Sequence, residues 1–377
     1  MEIGSEFWLD SIPERTAVTM PDYLNEYKNP VFTATCTGAI TLLLQQIQPK
    51  RKSALLPAYI CESVIRPFLA MGYECRFYGV DENLSPDLKD IKAFPDAGVF
   101  LHLGYYGFPT NSNLSAVLKS FKEGSTVIIE DVTHTLFSSY ERSPFNDYYI
   151  GSLRKWFGIP SGGFLAGADA EVDWPLEENP AYVNKRLAAL LNKGAYIRTN
   201  DMEIKTEALR QFSEAEELME EDFAPYRIDG VSTGIISRVD AQELVRKRRS
   251  NFAILMDGVE GIDFLKPVFS SMDAGICPMF FPVLIDKEER GRIRSRLTEQ
   301  GIYCPIHWPL PAQLDPQIFV KTMLIYDRIL SIPCDQRYGE DDMKRIISVL
   351  RTIDCSDATE KKVRKGCSQS AKESAIS

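Results

Sequence analysis

The feature that most limits what this chain can become is a rhythm over its first 166 residues. Short apolar runs of strand length alternate with longer stretches at helical spacing. The strand runs are Ser53–Leu56, Glu74–Tyr78, Val99–Leu103, Thr126–Glu130, Asp147–Ile150 and Gly163–Ala166; the helices between them include Glu62–Met71 and Asn113–Phe121. Parallel strands need long crossovers, and helices supply them. Strands covered on both faces read as almost continuous apolar runs. Thr126-Val127-Ile128-Ile129 is one such run. The reading is an α/β chain, with a mainly parallel central sheet and helices on both faces.

Further along, the pattern changes. From about Asn179 to Glu221 the chain reads as helical and highly charged, and Glu214–Glu221 as a solvated helix face. Asp240–Met256 reads as a long helix leading to a smaller C-terminal α+β domain. That domain has strands at Asp263–Leu265 and Met279–Leu284 and helices at Lys287–Gln300 and Glu340–Ile353. The expected division is a large domain over 1–245 and a small one over 246–355. Residues 356–377, rich in Ser and Lys and almost without large apolar residues, are expected to be a disordered tail.

Composition removes several classes of function. The 377 residues carry a formal charge of −10, and no basic stripe interrupts the first 350. Nucleic acid and anionic membrane are therefore not expected partners. No apolar stretch approaches the roughly 20 residues of a membrane helix. The first residues lack the basic and apolar regions of a signal peptide, so the expected location is cytoplasmic. Eight cysteines occur without a C-x-x-C and without metal-like spacing to the three histidines. They read as reduced thiols, and no metal site is expected. There is no G-x-G-x-x-G, so a dinucleotide fold has no motif behind it.

Three short stretches carry chemistry. Lys155, in Ser152-Leu153-Arg154-Lys155, follows the apolar run Tyr148-Tyr149-Ile150. A lysine at the end of a buried strand has its charged form disfavoured, and a neutral amine can form an imine with the aldehyde of pyridoxal phosphate (PLP). Ser152 can place a hydroxyl on the phosphate. An exposed helix lysine is the plainer reading. Asp131 ends the Thr126–Glu130 run, where open α/β sheets bind ligands. It can pair with the pyridine nitrogen and keep it protonated, or act as a helix N-cap. His134 can reach the same ring or be a hydrogen-bonded core histidine. Thr35-Cys36-Thr37-Gly38 opens an amphipathic helix, whose free N–H groups and positive dipole end suit a phosphate. Thr37 can equally cap that helix. The order phosphate turn, Asp, Lys favours a PLP site over the plainer readings.

Beyond these stretches, the chain resembles the DegT/DnrJ/StrS aminotransferases, PLP enzymes that often aminate keto sugars. The resemblance rests on Leu56–Ile65 with Gly72-Tyr73-Glu74-Cys75, Ile129–His134, Gly151–Lys155 with Gly162-Gly163, Arg248–Phe252, and Ile306-His307-Trp308-Pro309. It implies the aspartate aminotransferase-like fold of PLP-dependent transferases, a homodimer, an amino-acid donor such as glutamate, and a keto sugar acceptor. By resemblance Lys155 is the imine lysine, Asp131 the partner of the pyridine nitrogen, and His134 lies beside the ring. Thr37, Gly38 and Ser152 hold the phosphate. The family's ring-stacking position falls on Cys61, which leaves Tyr59 as the aromatic candidate. A nucleophilic role for Cys61 has no histidine nearby in sequence to support it.

Two departures stand out. The stretch before Lys155 is shorter than the common S-F-H-x-x-K, and Gly230–Gly234 has no clear counterpart of the Asn-x-Arg that reaches a neighbouring subunit. Tyr105 and Tyr106, after a strand end, and His307 and Trp308 are expected to line the substrate pocket, although packing alone also accounts for them. Arg154 can meet a substrate phosphate or a structural carboxylate. The expected activity is transamination in amino-sugar biosynthesis. Another PLP chemistry, such as a lyase or dehydratase, and a catalytically silent binding protein are the alternatives.

Overall fold

The computed structural model describes residues 2–12, 20–167, 170, 176–220 and 222–353. The tail expected over 356–377 lies outside them. Seven strands form the main sheet: β1 Val31–Thr33, β2 Ser53–Pro57, β3 Glu74–Tyr78, β4 Val99–Leu103, β5 Val127–Asp131, β6 Tyr148–Ser152 and β7 Gly163–Gly167. Their order is β1-β7-β6-β5-β4-β2-β3. Strands β2 to β6 are parallel, and β7 runs against both of its neighbours.

The continuous apolar runs are explained by burial on both faces. Leu55, Phe100 and Ile128 belong to one buried cluster; Leu56, Val99, Leu101 and Ile129 belong to another on the opposite face. Side chains alternate across a strand, so each run feeds two cores at once. The crossover helices are α1 Cys36–Gln46, α2 Glu62–Ala70, α3 Leu88–Lys92 and α4 Ser115–Glu123. The cap of α1 is Thr35, whose Oγ1 accepts the Gly38 N–H at 3.0 Å, and not Thr37.

After the sheet come α5 Pro180–Thr199 and α6 Met202–Glu220, a closely packed helical hairpin. Then follow α7 Gly230–Ile236 and α8 Ala241–Gly258. Leu244 of α8 packs into a cluster under the main sheet, whereas Phe252 and Leu255 join the C-terminal core. That core is built from β8 Leu265–Pro267, α9 Lys287–Glu299, β9 Phe281–Ile285, α10 Val320–Arg328, β10 Ile329–Ile332 and α11 Glu340–Thr352. The small sheet has the order β10-β9-β8 and is antiparallel throughout.

Several element limits differ from the pattern reading; strand β8 runs over Leu265–Pro267 and not Asp263–Leu265, because Leu265, Lys266 and Pro267 are the residues in register with β9. Strand β9 begins at Phe281 and not at Met279, because the Met279 N–H is taken by the Tyr106 carbonyl at 2.9 Å. Strand β10 follows α10 with no turn residue between them, so no punctuation in the sequence marked it.

Candidate active site

The carboxyl ends of β5 and β6 meet the start of α1 at a cavity of about 630 Å3. That volume suits a cofactor-sized ligand with room beside it. Lys155, Asp131, His134, Ser152, Thr37, Cys61, His307 and Trp308 all line it. Tyr59, Tyr105, Tyr106 and Gly38 do not line it.

Asp131 is the last residue of β5 and is 6% exposed. Its carboxylate accepts the Thr133 N–H at 2.8 Å. Burial nevertheless pushes its carboxyl up to about 6, against the Thr133 hydrogen bonds, and no cationic group among the described residues holds it down. A buried carboxylate of this kind calls for a cationic partner from outside the chain.

Thr133 also fixes the neighbouring strand end. Its Oγ1 accepts the Ser152 N–H at 3.0 Å, and its carbonyl accepts the Trp156 indole N–H at 2.7 Å. Trp156 is fully buried, with the Arg248 guanidinium 4.3 Å from its ring centroid and the Gln336 amide donating to its carbonyl at 2.7 Å. Lys155, between Ser152 and Trp156, is thus held on a short 3-10 turn, Leu153–Lys155, by contacts on both sides. It is not buried at a strand end as expected. Its side chain is exposed within the open cavity, because the chain leaves β6 before reaching it.

At the third corner, Thr35 occupies the cap of α1, and Gly38 donates to it. Gly38 therefore spends its N–H inside the helix and is buried. Cys36 and Thr37 open the helix at the cavity wall, at its positive dipole end. Close approach by β7 sets this corner. A Cβ on Gly163 would lie 2.3 Å from the Thr35 backbone, so only glycine lets the strand pack there. Burial, and next the nearby Asp131 carboxylate, push the Cys36 thiol well above its ordinary range, which keeps it protonated.

The aromatic residues divide into a wall and a support. The His134 and Trp308 rings stack with centroids 5.4 Å apart. The His134 Nδ1 accepts the Tyr106 N–H at 3.2 Å. Burial, aided by the Lys155 charge, pushes His134 down to about 3, so its ring is neutral at ordinary pH. His307 is pushed well down by burial, by His134 and by Lys155, and its Nδ1 shares a hydrogen bond with Ser331 Oγ at 2.8 Å.

Behind this wall lie the tyrosines. Tyr59, Tyr105 and Tyr106 are at most 1% exposed. The Tyr59 hydroxyl is shared with Tyr106 at 2.9 Å and donates to the His307 carbonyl. Tyr59 also packs against Tyr105, Trp308 and Tyr326. Their expected place on the pocket surface is corrected: they support the residues that form it. Ile60 and Cys61, the latter at the cap of α2, are the members of that segment on the cavity.

Several lining residues carried no motif. Thr133 lies between Asp131 and His134, and its position there was the one usable signal. Ser213, Glu216, Glu217 and Met219 come from α6, and Phe223 from the segment after it. The charged run read as a solvated face is in part a cavity wall. Arg154 meets a carboxylate of the chain itself, Glu216, at 3.4 Å. Burial raises the Glu216 carboxyl, but the charges of Arg154 and Arg186 outweigh it and hold the group at about 2. Among the described residues there is no cluster suited to a metal ion and no helix long and apolar enough to cross a membrane.

Solved structures share this architecture. One is CalS13 from Micromonospora echinospora, a sugar aminotransferase, at 18% identity and TM-score 0.61, covering 88% of this chain and 92% of that one. Another is PseC from Helicobacter pylori, an aminotransferase involved in the biosynthesis of pseudoaminic acid, at 15% identity and TM-score 0.64 over 87% and 88%. A third is Spr1654 from Streptococcus pneumoniae, solved in a PLP form, at 16% identity and TM-score 0.65 over 92% of each chain. At such identities the likeness establishes the fold. The chain has the α/β fold of these aminotransferases, with a seven-stranded main sheet and a small antiparallel one. No protein-family model and no curated protein matches the sequence.

Proposed function

We propose that this chain is a PLP-dependent aminotransferase that moves an amino group from an amino acid such as glutamate to a keto sugar, free or activated by a nucleotide. The observation that carries the reading is the meeting of Lys155, Asp131 and the start of α1 on one cavity in this fold.

The residues fit the cofactor. Lys155 would hold its aldehyde carbon, the uncompensated Asp131 carboxylate its pyridine nitrogen, and Thr37, Ser152 and the α1 N-terminus its phosphate. Neutral His134, backed by the stacked Trp308, would lie beside the ring. PLP, when bound, supplies an electron sink for a carbanion at the substrate carbon.

The chain supplies the rest. Lys155 Nζ takes the proton from the substrate carbon and returns it, as general base and then general acid. The Asp131 carboxylate keeps the proton on the ring nitrogen. His307 and Trp308 border the space left for the acceptor. The setting we propose is amino-sugar biosynthesis for cell-surface polysaccharides or secondary metabolites, in a cytoplasmic homodimer with its site near the subunit boundary.

The test is the two half-reactions followed by absorbance. L-glutamate should convert the PLP-loaded protein to its amine form with one 2-oxoglutarate released per site. A panel of nucleotide-activated keto sugars should return it. Glutamate consumption without a stoichiometric keto acid would overturn the reading in favour of a lyase.

A further inference from the structure

A second chamber of about 550 Å3 adjoins the first, and the two share Arg154, Lys155, Ser213, Glu216, Met279 and His307 as walls. Four arginines face it. Two of them are bonded to groups other than Glu216. Arg248 is bonded to Gln336 and to the carbonyls of Pro278 and Met279, and Arg337 to Asp335 and the Glu6 carbonyl. The other two, Arg154 and Arg186, share a single carboxylate, that of Glu216.

This pairing leaves charge and donors over. The chamber's walls carry Arg154, Lys155, Arg186, Arg248 and Arg337 against the carboxylates of Glu6, Glu216 and Asp335, so positive charge is in excess beside Lys155. The Arg186 residue is 6% exposed, and its Nε has no acceptor; the Arg154 Nη1 is buried and likewise has none. Buried guanidinium donors without acceptors are costly, and such groups call for an anion. Glu216 is the movable member, since its side chain is 55% exposed whereas those of Arg154 and Arg186 are 14% and 8% exposed.

We infer that Arg154 and Arg186 form a binding subsite for a substrate carboxylate, with Glu216 as the internal counter-ion that the substrate displaces. The inference rests on the aminotransferase reading for the word substrate. The occupied half of the pair already accepts carboxylate geometry, because Glu216 uses it. Lys155 borders both chambers, so a carboxylate held here belongs to a molecule whose other end reaches the reacting lysine. An acidic amino donor has that shape.

The experiment is calorimetric titration of the full chain with glutarate, with its monomethyl ester and pyrophosphate as comparison probes. Wild type should bind glutarate. Arg186→Gln should weaken it about tenfold or more, while Arg186→Lys should recover part of the loss. Glu216→Gln should bind glutarate several-fold more tightly, because the competing carboxylate is gone. A merely structural role for Glu216 gives the opposite sign. Unchanged or weaker glutarate binding by Glu216→Gln would overturn the subsite, as would an Arg186→Gln protein that binds like wild type. Pyrophosphate binding more tightly than glutarate through the same arginines would overturn the carboxylate assignment. Glutarate binding does not depend on the chemistry at Lys155. If titration behaves as expected and the half-reactions fail, the aminotransferase reading falls and the anion site stands.

Discussion

The sheet edge around Lys155 and the wall that faces it are held in different ways. At the edge, Asp131, Ser152 and Lys155 are fixed by backbone strands and by short bonds from Thr133 and around Trp156. On the wall, Arg154, Arg186 and Glu216 are held by ion pairs between segments far apart in sequence. Backbone hydrogen bonds fix a position to a fraction of an ångström, and ion pairs made through one half-exposed carboxylate, that of Glu216, do not. Reaction chemistry needs the first kind of support, and substrate exchange tolerates the second. Edge variants should therefore cause large, salt-insensitive losses, and wall variants smaller ones that respond to salt.

The largest effect should come from Asp131→Asn. The shape is kept and the charge lost, so turnover should fall by about three orders of magnitude or more, several kcal/mol in barrier. Turnover within a few-fold of wild type would break the comparison on its strong side. The same variant has an opposite effect on the cofactor-free chain. A carboxyl raised to about 6 by burial makes the fold pay a penalty that is absent below its ordinary value near 3.8 and complete above about 6. Asp131→Asn should therefore stabilise the cofactor-free protein by up to about 3 kcal/mol at pH 7 and by almost nothing at pH 4. Denaturant unfolding at the two pH values measures this. A gain that is equal at both would assign it to packing.

Gly163→Ala comes next. The added methyl meets the Thr35 backbone, which has no room to move without shifting the start of α1. We expect about 1–3 kcal/mol of lost stability in thermal unfolding and weaker PLP binding together. A variant as stable as wild type but unable to bind PLP would separate the cup from the packing.

His307→Ala tests the boundary between edge and wall. It should slow the acceptor half-reaction by about tenfold and the glutamate half-reaction less. Equal losses would place His307 with the cofactor or the fold. The smallest effect is that of salt. Raising ionic strength from about 0.05 to 0.5 M should raise the glutamate KM a few-fold and leave the cofactor attached. An unchanged KM would mean that the wall is as rigid as the edge.

The same contrast explains what was legible in the sequence. The limits of β3 and β4 are those expected from the sequence: β4 is a continuous apolar run, and β3 alternates exposed Glu74 and Arg76 with less exposed residues after the Gly72 turn. That Lys155, Asp131, Thr37 and Ser152 share one cavity is legible because each lies at the end or start of an element, where position follows from local pattern. The wall was not legible. Glu216 reads as one acid among many on a charged helix, and nothing local shows that two arginines from 30 and 62 residues away converge on it. Tyr59, Tyr105 and Tyr106 misled for a related reason. An aromatic residue after a strand end can face the ligand or turn under it, and a network of distant partners, His307 among them, decides which. Lys155 is exposed where its place after a strand implies burial, since the short turn at Leu153–Lys155 carries it off the strand.

The central claim is that Lys155 is the residue to which the cofactor attaches. The direct measurement is borohydride reduction of the full chain after addition of pyridoxal phosphate, followed by peptide mapping. The account predicts a visible absorption band that reduction bleaches, with the label on the peptide containing Lys155 and no label in a folded Lys155→Ala protein. A label on another lysine, or a colourless protein that takes up no cofactor, would contradict it.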